Sequence, residues 1–294
     1  MICEEYVVAS SVEEALASLA SLRGDGRLIA GGTDLVVQLQ RGERKLRTLV
    51  DITRIPGLHD ITADESWVVV GAAATHAMLA ASPLVRERGP VLAQAASWVG
   101  SPQIRNVGTI AGNVVNAQPA ADCSIALLAL DAEAEIANLT GRQWVPVSQL
   151  FVSPGVSRVD AGSEMITAFR FRAHAPREAS AFERHARRRA VALPLINVAV
   201  RVLLDSNGGG VRDARIAIGP VAPVPFRAAQ AESLLMSEPM NQETIADVAA
   251  AAAAESKPRT SLLRASKEYR RELIPVLVRR ALQRAIAEAR GEGQ

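Results

Sequence analysis

Short apolar runs alternate with helix-like spacing in the first part of the chain. The apolar residues 6–8 predict a strand, and Ser11 followed by Glu14 is typical of a capped helix start. Apolar residues then recur at helical spacing as far as Leu22, and Gly24 is expected to end the helix. A short strand followed at once by a short helix indicates an α/β unit.

The same alternation continues beyond this first helix. A second helix is expected from Leu35 onwards, after a short buried strand. Strands are expected at residues 28–30, 49–52 and 67–71. We therefore predict a first domain over residues 1–176, made of two α/β subdomains at about 1–56 and 57–176.

The last part of the chain has a different pattern. Apolar runs at residues 195–204 and 215–219 flank a glycine-rich turn at 207–210, which predicts a β-hairpin. Pro275 is expected to kink the last helix or to lie in its first turns. Helices are expected at 228–236, 241–254 and 266–289. Strands followed by helices are typical of an α+β domain, which we predict for residues 177–294.

Composition narrows the class of protein. The 294 residues are 49% hydrophobic and 22% charged, which is ordinary for a folded globular chain. The two cysteines, Cys3 and Cys123, are too few for a four-thiolate iron–sulfur or zinc site. They also provide no disulfide framework, so a reducing compartment is expected.

Charge and hydropathy exclude further classes. A net charge of +2 and an aromatic content of 3% argue against general nucleic-acid binding. No apolar run approaches the roughly 18 residues that a membrane-spanning helix needs. The first residues lack the basic segment of a signal peptide. The sequence therefore predicts a soluble, cytoplasmic protein with no nucleic-acid partner.

A first glycine-containing loop, Ala-Gly-Gly-Thr-Asp-Leu at residues 30–35, joins a predicted strand to a predicted helix. Glycine lets backbone amides approach a ligand closely, and a helix start leaves several amides free. This arrangement suits a pyrophosphate. The alternative is a tight turn in which Thr33 or Asp34 caps the helix.

A second loop, Gly-Thr-Ile-Ala-Gly-Asn at residues 108–113, is followed by Pro119 and Asp122. Asn113 can both donate and accept hydrogen bonds, and an aspartate beyond a phosphate loop, such as Asp122, is suited to a ribose or to groups near the diphosphate. The alternative is a turn with an Asx cap. Neither loop matches the Rossmann or P-loop pattern, but two such loops together indicate one long dinucleotide held between two subdomains.

Other kinds of chemistry have weaker support. No Gly-x-Ser-x-Gly elbow is present, and Cys123 is expected to be a buried structural thiol. The histidines have no metal-ligand spacing: His59, His76, His174 and His185. For most of an arginine run the sequence favours a solvated face or interdomain ion pairs over the binding of an anionic cofactor or a partner: Arg184, Arg187, Arg188 and Arg189.

At these loops, and over nearly its whole length, the chain resembles the FAD-binding medium subunit of the molybdenum hydroxylases. That family includes carbon monoxide dehydrogenase and bacterial xanthine dehydrogenases. The resemblance rests on segments 30–35, 70–76, 104–113, 119–122, 218–228 and 266–271. It implies an α+β protein: a two-subdomain α/β FAD-binding domain of the vanillyl-alcohol oxidase type, followed by an α+β C-terminal domain.

The resemblance also implies a set of FAD-binding residues. Two loops would hold the pyrophosphate: Ile29, Ala30, Gly31, Gly32, Thr33, Asp34 and Leu35, and Gly108, Thr109, Ala111, Gly112 and Asn113. Asp122 would bind the adenosine side through its ribose, and Trp98 with Val99 would lie against the isoalloxazine ring. Ile166 would pack near the adenine or the ring system, and Arg184 would also contact the cofactor. Relatives commonly have glycine at the position of Ala111, so the pyrophosphate is expected to fit slightly more tightly here.

The resemblance implies an electron-transfer role with no catalytic side chain and no metal ligand on this chain. Partners would be a small subunit with two [2Fe-2S] clusters and a large molybdopterin subunit, as a dimer of heterotrimers. An external acceptor such as NAD or a quinone would take the electrons. Two alternatives are an autonomous flavin-dependent oxidoreductase with its own substrate, and a scaffold that has lost FAD.

Overall fold

The computed structural model describes residues 3–188, 191–261 and 264–292. These residues form three units, each a β-sheet with its own helices, so the fold is α+β as expected. The first unit consists of β1 (Glu5–Val8), α1 (Val12–Leu22), β2 (Gly26–Ile29), α2 (Leu35–Gln40) and β3 (Thr48–Asp51). Its three strands are parallel, in the order β1-β3-β2.

Local sequence signals account for the bounds of α1. The Ser11 hydroxyl accepts a hydrogen bond from the Glu14 amide at 3.0 Å, and the Glu14 carboxylate accepts one from the Ser10 amide at 2.7 Å. These bonds satisfy amides that a helix start leaves free. The helix ends at Arg23, which has a left-handed φ of 47°, one residue before the expected Gly24.

The second unit is a five-stranded antiparallel sheet in the order β4-β5-β10-β6-β7, with six helices between its second and third strands in the chain. Its first elements are β4 (Ile61–Ala63), β5 (Trp67–Gly71), α3 (His76–Ala81), α4 (Pro83–Arg88), α5 (Pro90–Ser97), α6 (Pro102–Val107), α7 (Ile110–Val115) and α8 (Asp122–Ala129). The strands that follow are β6 (Glu133–Asn138), β7 (Gly141–Pro146), β8 (Phe151–Ser153), β9 (Val156–Ser157) and β10 (Met165–Arg172). Of these, β8 and β9 pair with each other in a separate two-stranded sheet.

The third unit contains the expected hairpin and the expected helices. Its strands, β11 (Glu178–His185), β12 (Ile196–Leu204), β13 (Val211–Gly219) and β14 (Phe226–Arg227), are antiparallel and lie in chain order. Its helices are α9 (Ala229–Ser237), α10 (Gln242–Glu255) and α11 (Lys267–Arg290). β13 begins four residues before the predicted start at 215, and α11 continues through Pro275. The proposed domain boundary at residues 176–177 lies between β10 and β11 and stays a prediction.

Helix α8 is the element that the second and third units share. All eight of its residues are buried, because it contacts α5 and α7 on one side and β12 and β13 on the other. A helix that is apolar around most of its circumference needs such burial on every side. Phe182 and Ala217 of the third sheet extend the core of the second unit.

No helix in the described ranges is long and apolar enough to cross a lipid bilayer.

Candidate functional site

The two glycine-containing loops of the sequence lie directly against each other. A Cβ atom added to Gly31 would lie 1.9 Å from the carbonyl oxygen of Val107 and 2.9 Å from the amide nitrogen of Gly108. Neither neighbour is a flexible side-chain end, so no side chain fits at residue 31 without moving the backbone. The first loop therefore needs glycine at this position in order to meet the second.

The first loop presents a run of unpaired backbone donors. The amides of residues 31 to 35 donate to no other described residue. Gly32 has a φ of +67°, a conformation that favours glycine. Asp34 precedes α2 without a side-chain capping bond, so the capping alternative for this residue is not what the structure shows. These amides are donors suited to an anion.

The second loop is held by its own hydrogen bonds. The Thr109 hydroxyl caps α7 by accepting from the Gly112 amide at 3.1 Å. The amides of Ile110 and Ala111 donate to Ala74 and Ala72 at 3.0 and 3.2 Å. A side-chain cap is therefore present, but it is the Thr109 hydroxyl and not the Asx cap of the alternative interpretation. The loop offers a ligand a rigid wall and side-chain groups rather than free amides.

One such side-chain group belongs to Asn113. Its Oδ1 accepts from the amide and the hydroxyl of Ser124, at 3.2 and 3.3 Å. These bonds fix the amide plane, and Nδ2 donates to no other residue within the described part of the chain. The Asn113 side chain is therefore oriented with a donor still available.

A buried His–Cys pair lies next to the start of the second loop. The His76 amide donates to the Gly108 carbonyl at 3.0 Å, and His76 Nδ1 lies 3.4 Å from Cys123 Sγ. Burial lowers the pKa of His76 to about 4 and raises the pKa of the Cys123 thiol well above its usual range. Both groups are therefore uncharged at neutral pH, and Cys123 is the buried thiol that was expected.

Three of the expected site residues come together at the amino end of α8. Asp122 is 6% exposed, and its Oδ1 accepts from Arg184 Nε at 3.2 Å. The Arg184 guanidinium lies 5.5 Å from the centre of the Trp98 ring, and Trp98 is 40% exposed. An ion pair thus connects Asp122 to an aromatic surface that is open to a ligand.

Asn197 also contacts Asp122, and the sequence analysis missed it. Asn197 is fully buried in β12, and its Nδ2 donates to Asp122 Oδ1 at 2.7 Å. The available signal was a polar residue, one of two with Arg201, in the otherwise apolar run of residues 195–204. Asparagine is seldom buried in such a strand unless it has a hydrogen-bond partner.

The charge state of Asp122 depends on these neighbours. Burial raises its pKa, while the Arg184 charge and the hydrogen bond from Asn197 oppose that rise. Both donors use Oδ1, and Oδ2 accepts from no other residue in the ranges described. Oδ2 is therefore the atom that can accept a bond from a ligand hydroxyl.

The remaining expected residues lie around this site with less direct roles. Val99 is partly buried against the core, and its carbonyl accepts from Arg105 at 3.0 Å. Ile166 is 3% exposed in β10, opposite Ile136, so its side chain belongs to the core. Ala111 is 9% exposed and belongs to the same core.

The described contacts of Arg184 and Arg188 in the arginine run go to different parts of the molecule. Arg184 forms the interdomain ion pair described above, whereas Arg188 donates to the Val191 carbonyl at 2.7 Å. Arg189 lies outside the described residues. Only Arg184 of the run is therefore placed at the candidate site by a described contact with Asp122.

Two family models match the chain. The model of the FAD-binding domain in molybdopterin dehydrogenase matches residues 2–171. The model of the CO dehydrogenase flavoprotein C-terminal domain matches residues 181–285.

Individual relatives match over nearly their whole length. The 6-hydroxypseudooxynicotine dehydrogenase complex subunit alpha of Paenarthrobacter nicotinovorans is 35% identical, over 97% of this chain and 95% of that protein. The carbon monoxide dehydrogenase medium chain of Hydrogenophaga pseudoflava is 31% identical, over 96% and 97%. A solved structure of carbon monoxide dehydrogenase from the same organism superposes with a TM-score of 0.91 at 33% identity, over 97% of this chain and 98% of that one.

The matching domains and the shared fold define a flavoprotein subunit of the oxidoreductase class. The chain belongs to the family of FAD-binding subunits of molybdenum hydroxylase-type dehydrogenases, and its cofactor is FAD.

Proposed function

We propose that this chain is the FAD-carrying electron-transfer subunit of a heterotrimeric molybdopterin-dependent dehydrogenase. The observation that carries the proposal is the pair of touching loops, one of which has free amides from residue 31 to residue 35. Backbone amide donors are the groups that the anionic oxygens of a dinucleotide pyrophosphate accept from. We also propose that residues 1–176 are the FAD-binding domain and 177–294 the C-terminal domain, which the spans of the two family models support.

The first loop, residues 29–35, would hold the pyrophosphate with its amides. The second loop would close the other side, with Gly108, Thr109, Ala111 and Gly112 as its wall and the oriented Asn113 as a donor. The contact at Gly31 sets the distance between the loops. Because the backbone, and not a mobile side chain, provides most donors, the site is organised before the ligand binds.

The other end of the site would receive the nucleoside and ring parts of FAD. Asp122 would accept a ribose hydroxyl at Oδ2, with Arg184 and Asn197 holding the carboxylate in place. Trp98 and Val99 would lie against the isoalloxazine ring, and Ile166 would contribute backbone near the cofactor. The exposed face of Trp98 supports this assignment, since an aromatic ring can stack on a flavin.

FAD held by the two loops and by Asp122 would supply the redox chemistry, the transfer of electrons from iron–sulfur clusters to an external acceptor. The residues of this chain would bind and orient the cofactor. No side chain has to act as an acid or base, and His76 is held uncharged by burial.

We propose as partners a small subunit with two [2Fe-2S] clusters and a large molybdopterin subunit, in a dimer of heterotrimers. The names of several relatives as medium chains or medium subunits support an assembly with smaller and larger chains. Two cysteines, Cys3 and Cys123, are too few to ligate such clusters here. The external acceptor would be NAD, a quinone or another carrier. We place the complex in the cytoplasm, where a reducing environment suits the two thiols.

Expression of the chain alone, and together with the two proposed partner subunits, tests the function. We expect a visible flavin spectrum on the isolated chain, and substrate oxidation only when the partners are present. An isolated chain without flavin would contradict the FAD-carrying role. Substrate oxidation by the isolated flavoprotein would instead favour an autonomous oxidoreductase.

A further inference from the structure

Helix α8 is held at both ends by the C-terminal domain, although it belongs to the FAD-binding domain. Its amino end carries Asp122, which is bonded to Arg184 and Asn197 of β11 and β12. Its carboxyl end leads to Asp131, which is bonded to arginines of β13 and β14. These two ends are about 12 Å apart along the helix, at 1.5 Å per residue.

The carboxyl end of α8 is fastened by one carboxylate that faces three arginines. Asp131 Oδ2 accepts from Arg215 Nε at 2.5 Å, and Oδ1 accepts from Arg227 Nη1 at 2.5 Å. Arg201 Nη2 lies 3.9 Å from Oδ2. Asp131 has a left-handed φ of 47°, so the chain turns here with its carboxylate aimed at the C-terminal sheet.

The three arginines are themselves fixed to that sheet. Arg227 pairs with Glu232 at 2.6 Å, and the Glu232 side chain is 5% exposed and accepts from a backbone amide of β13. Arg201 pairs with Glu178 at 3.3 Å and with Asp213 at 2.5 Å. An arginine that is paired on both sides has lost much of its rotational freedom, so it holds Asp131 at a defined place.

We propose that Asp131 is a positioning residue for the FAD site, acting through α8 on Asp122. The helix is buried on every side, so a shift at one end is carried to the other rather than absorbed. The Asp122 carboxylate would then keep its observed place, and so contact the ribose, only while Asp131 keeps its ion pairs with the arginines of the C-terminal sheet. This inference rests on the proposed function, because it assumes that FAD occupies the site.

The same network offers a matched control. Asp213 pairs with Arg201 and Arg215, two of the arginines that face Asp131, but it lies on β13 in the same sheet as both of them. In Asp213→Asn the Asp131 carboxylate therefore keeps its own partners, Arg215 and Arg227. The side chains of Asp131 and Asp213 are 38% and 30% exposed. Asparagine keeps the shape of either side chain and tolerates the left-handed conformation at residue 131.

The test compares Asp131→Asn with Asp213→Asn in the full chain purified with its flavin. FAD release is followed by flavin fluorescence after dilution, and the unfolding temperature is measured for each variant. We expect release about fivefold faster in Asp131→Asn and less than twofold faster in Asp213→Asn, at similar unfolding temperatures. Equal release rates in the two variants would overturn the proposal.

A second measurement separates positioning from general loosening. In an Asp122→Asn background, Asp131→Asn should change the rate of FAD release by less than twofold, because the Asp122 carboxylate through which it acts is already absent. An undiminished fivefold effect there would refute action through Asp122. If the unaltered chain holds no FAD at all, the proposed function fails, and that result is distinct from either outcome above.

Discussion

Gly31→Ala is the most direct test of the site because its consequence can be worked from one contact. The added methyl carbon would start 1.9 Å from the Val107 carbonyl oxygen. An ordinary carbon–oxygen contact is about 3.3 Å, so the two loops must separate by about 1.4 Å. Hydrogen bonds of 2.7–3.2 Å are largely lost after such a displacement.

The expected effect is a large loss of FAD affinity with a smaller loss of stability. A hydrogen bond to a charged group contributes about 1.5–3 kcal/mol, so losing two of them weakens binding by about 3–6 kcal/mol. That corresponds to a dissociation constant raised by at least about a hundredfold, at 1.4 kcal/mol for each factor of ten. Overpacking itself should cost about 1–3 kcal/mol of folding free energy.

The assay is FAD content after gel filtration, together with a dissociation constant from quenching of flavin fluorescence. Gly162→Ala is the matched control, because a Cβ there would meet only Asp160 Oδ1, at 3.4 Å. We expect the control to retain FAD. Stoichiometric FAD with unaltered affinity in Gly31→Ala would refute the reasoning that the contact between the loops sets the cofactor site.

Three further predictions concern charge and packing. Arg184→Gln leaves the buried Asp122 carboxylate without its cation, so we expect about 3–5 kcal/mol lower stability by urea titration and weaker FAD binding. His76 and His174 have pKa values lowered to about 4 by burial. Below about pH 6.5 the unfolded chain therefore binds more protons than the folded chain. The free energy of unfolding should fall by about 3 kcal/mol per histidine between pH 6.5 and 4, and by less in His174→Gln. Arg170→Ala should lower the unfolding free energy by about 1–2 kcal/mol without altering FAD content, since this arginine lies between two tryptophan rings, at 4.6 and 4.2 Å.

Local elements followed from local patterns in the sequence. The start of α1 and the turn between β12 and β13 depend on side chains within four or five residues of each other, so spacing alone was enough to predict them. Errors of a few residues occurred where sheet pairing set the bounds. β13 is longer than its apolar run because polar residues at its start still pair with β12, as Asp213 does with Leu203.

The residues of the first loop are compatible with two roles, a helix cap and a phosphate-binding loop, and the structure favours the second. Thr33 and Asp34 are both common helix caps, so composition could not distinguish a cap from a phosphate loop. The absence of a capping bond from the Asp34 side chain, together with the unpaired amides around it, favours the phosphate loop. In the second loop, by contrast, a side-chain cap is present, because the Thr109 hydroxyl caps α7.

The sequence by itself determined the elements, the two loops and the family to which the chain belongs. Only the tertiary structure decided what those loops contact. Residue 31 must be glycine because the Val107 backbone occupies the space that a Cβ atom would need, and the sequence does not show that contact. The same holds for Asn197, which bonds Asp122 from 75 residues away, and for Arg227, which reaches Asp131 across 96. Such pairs depend on how sheets and helices pack, and no short-range pattern of apolar and polar residues records that packing.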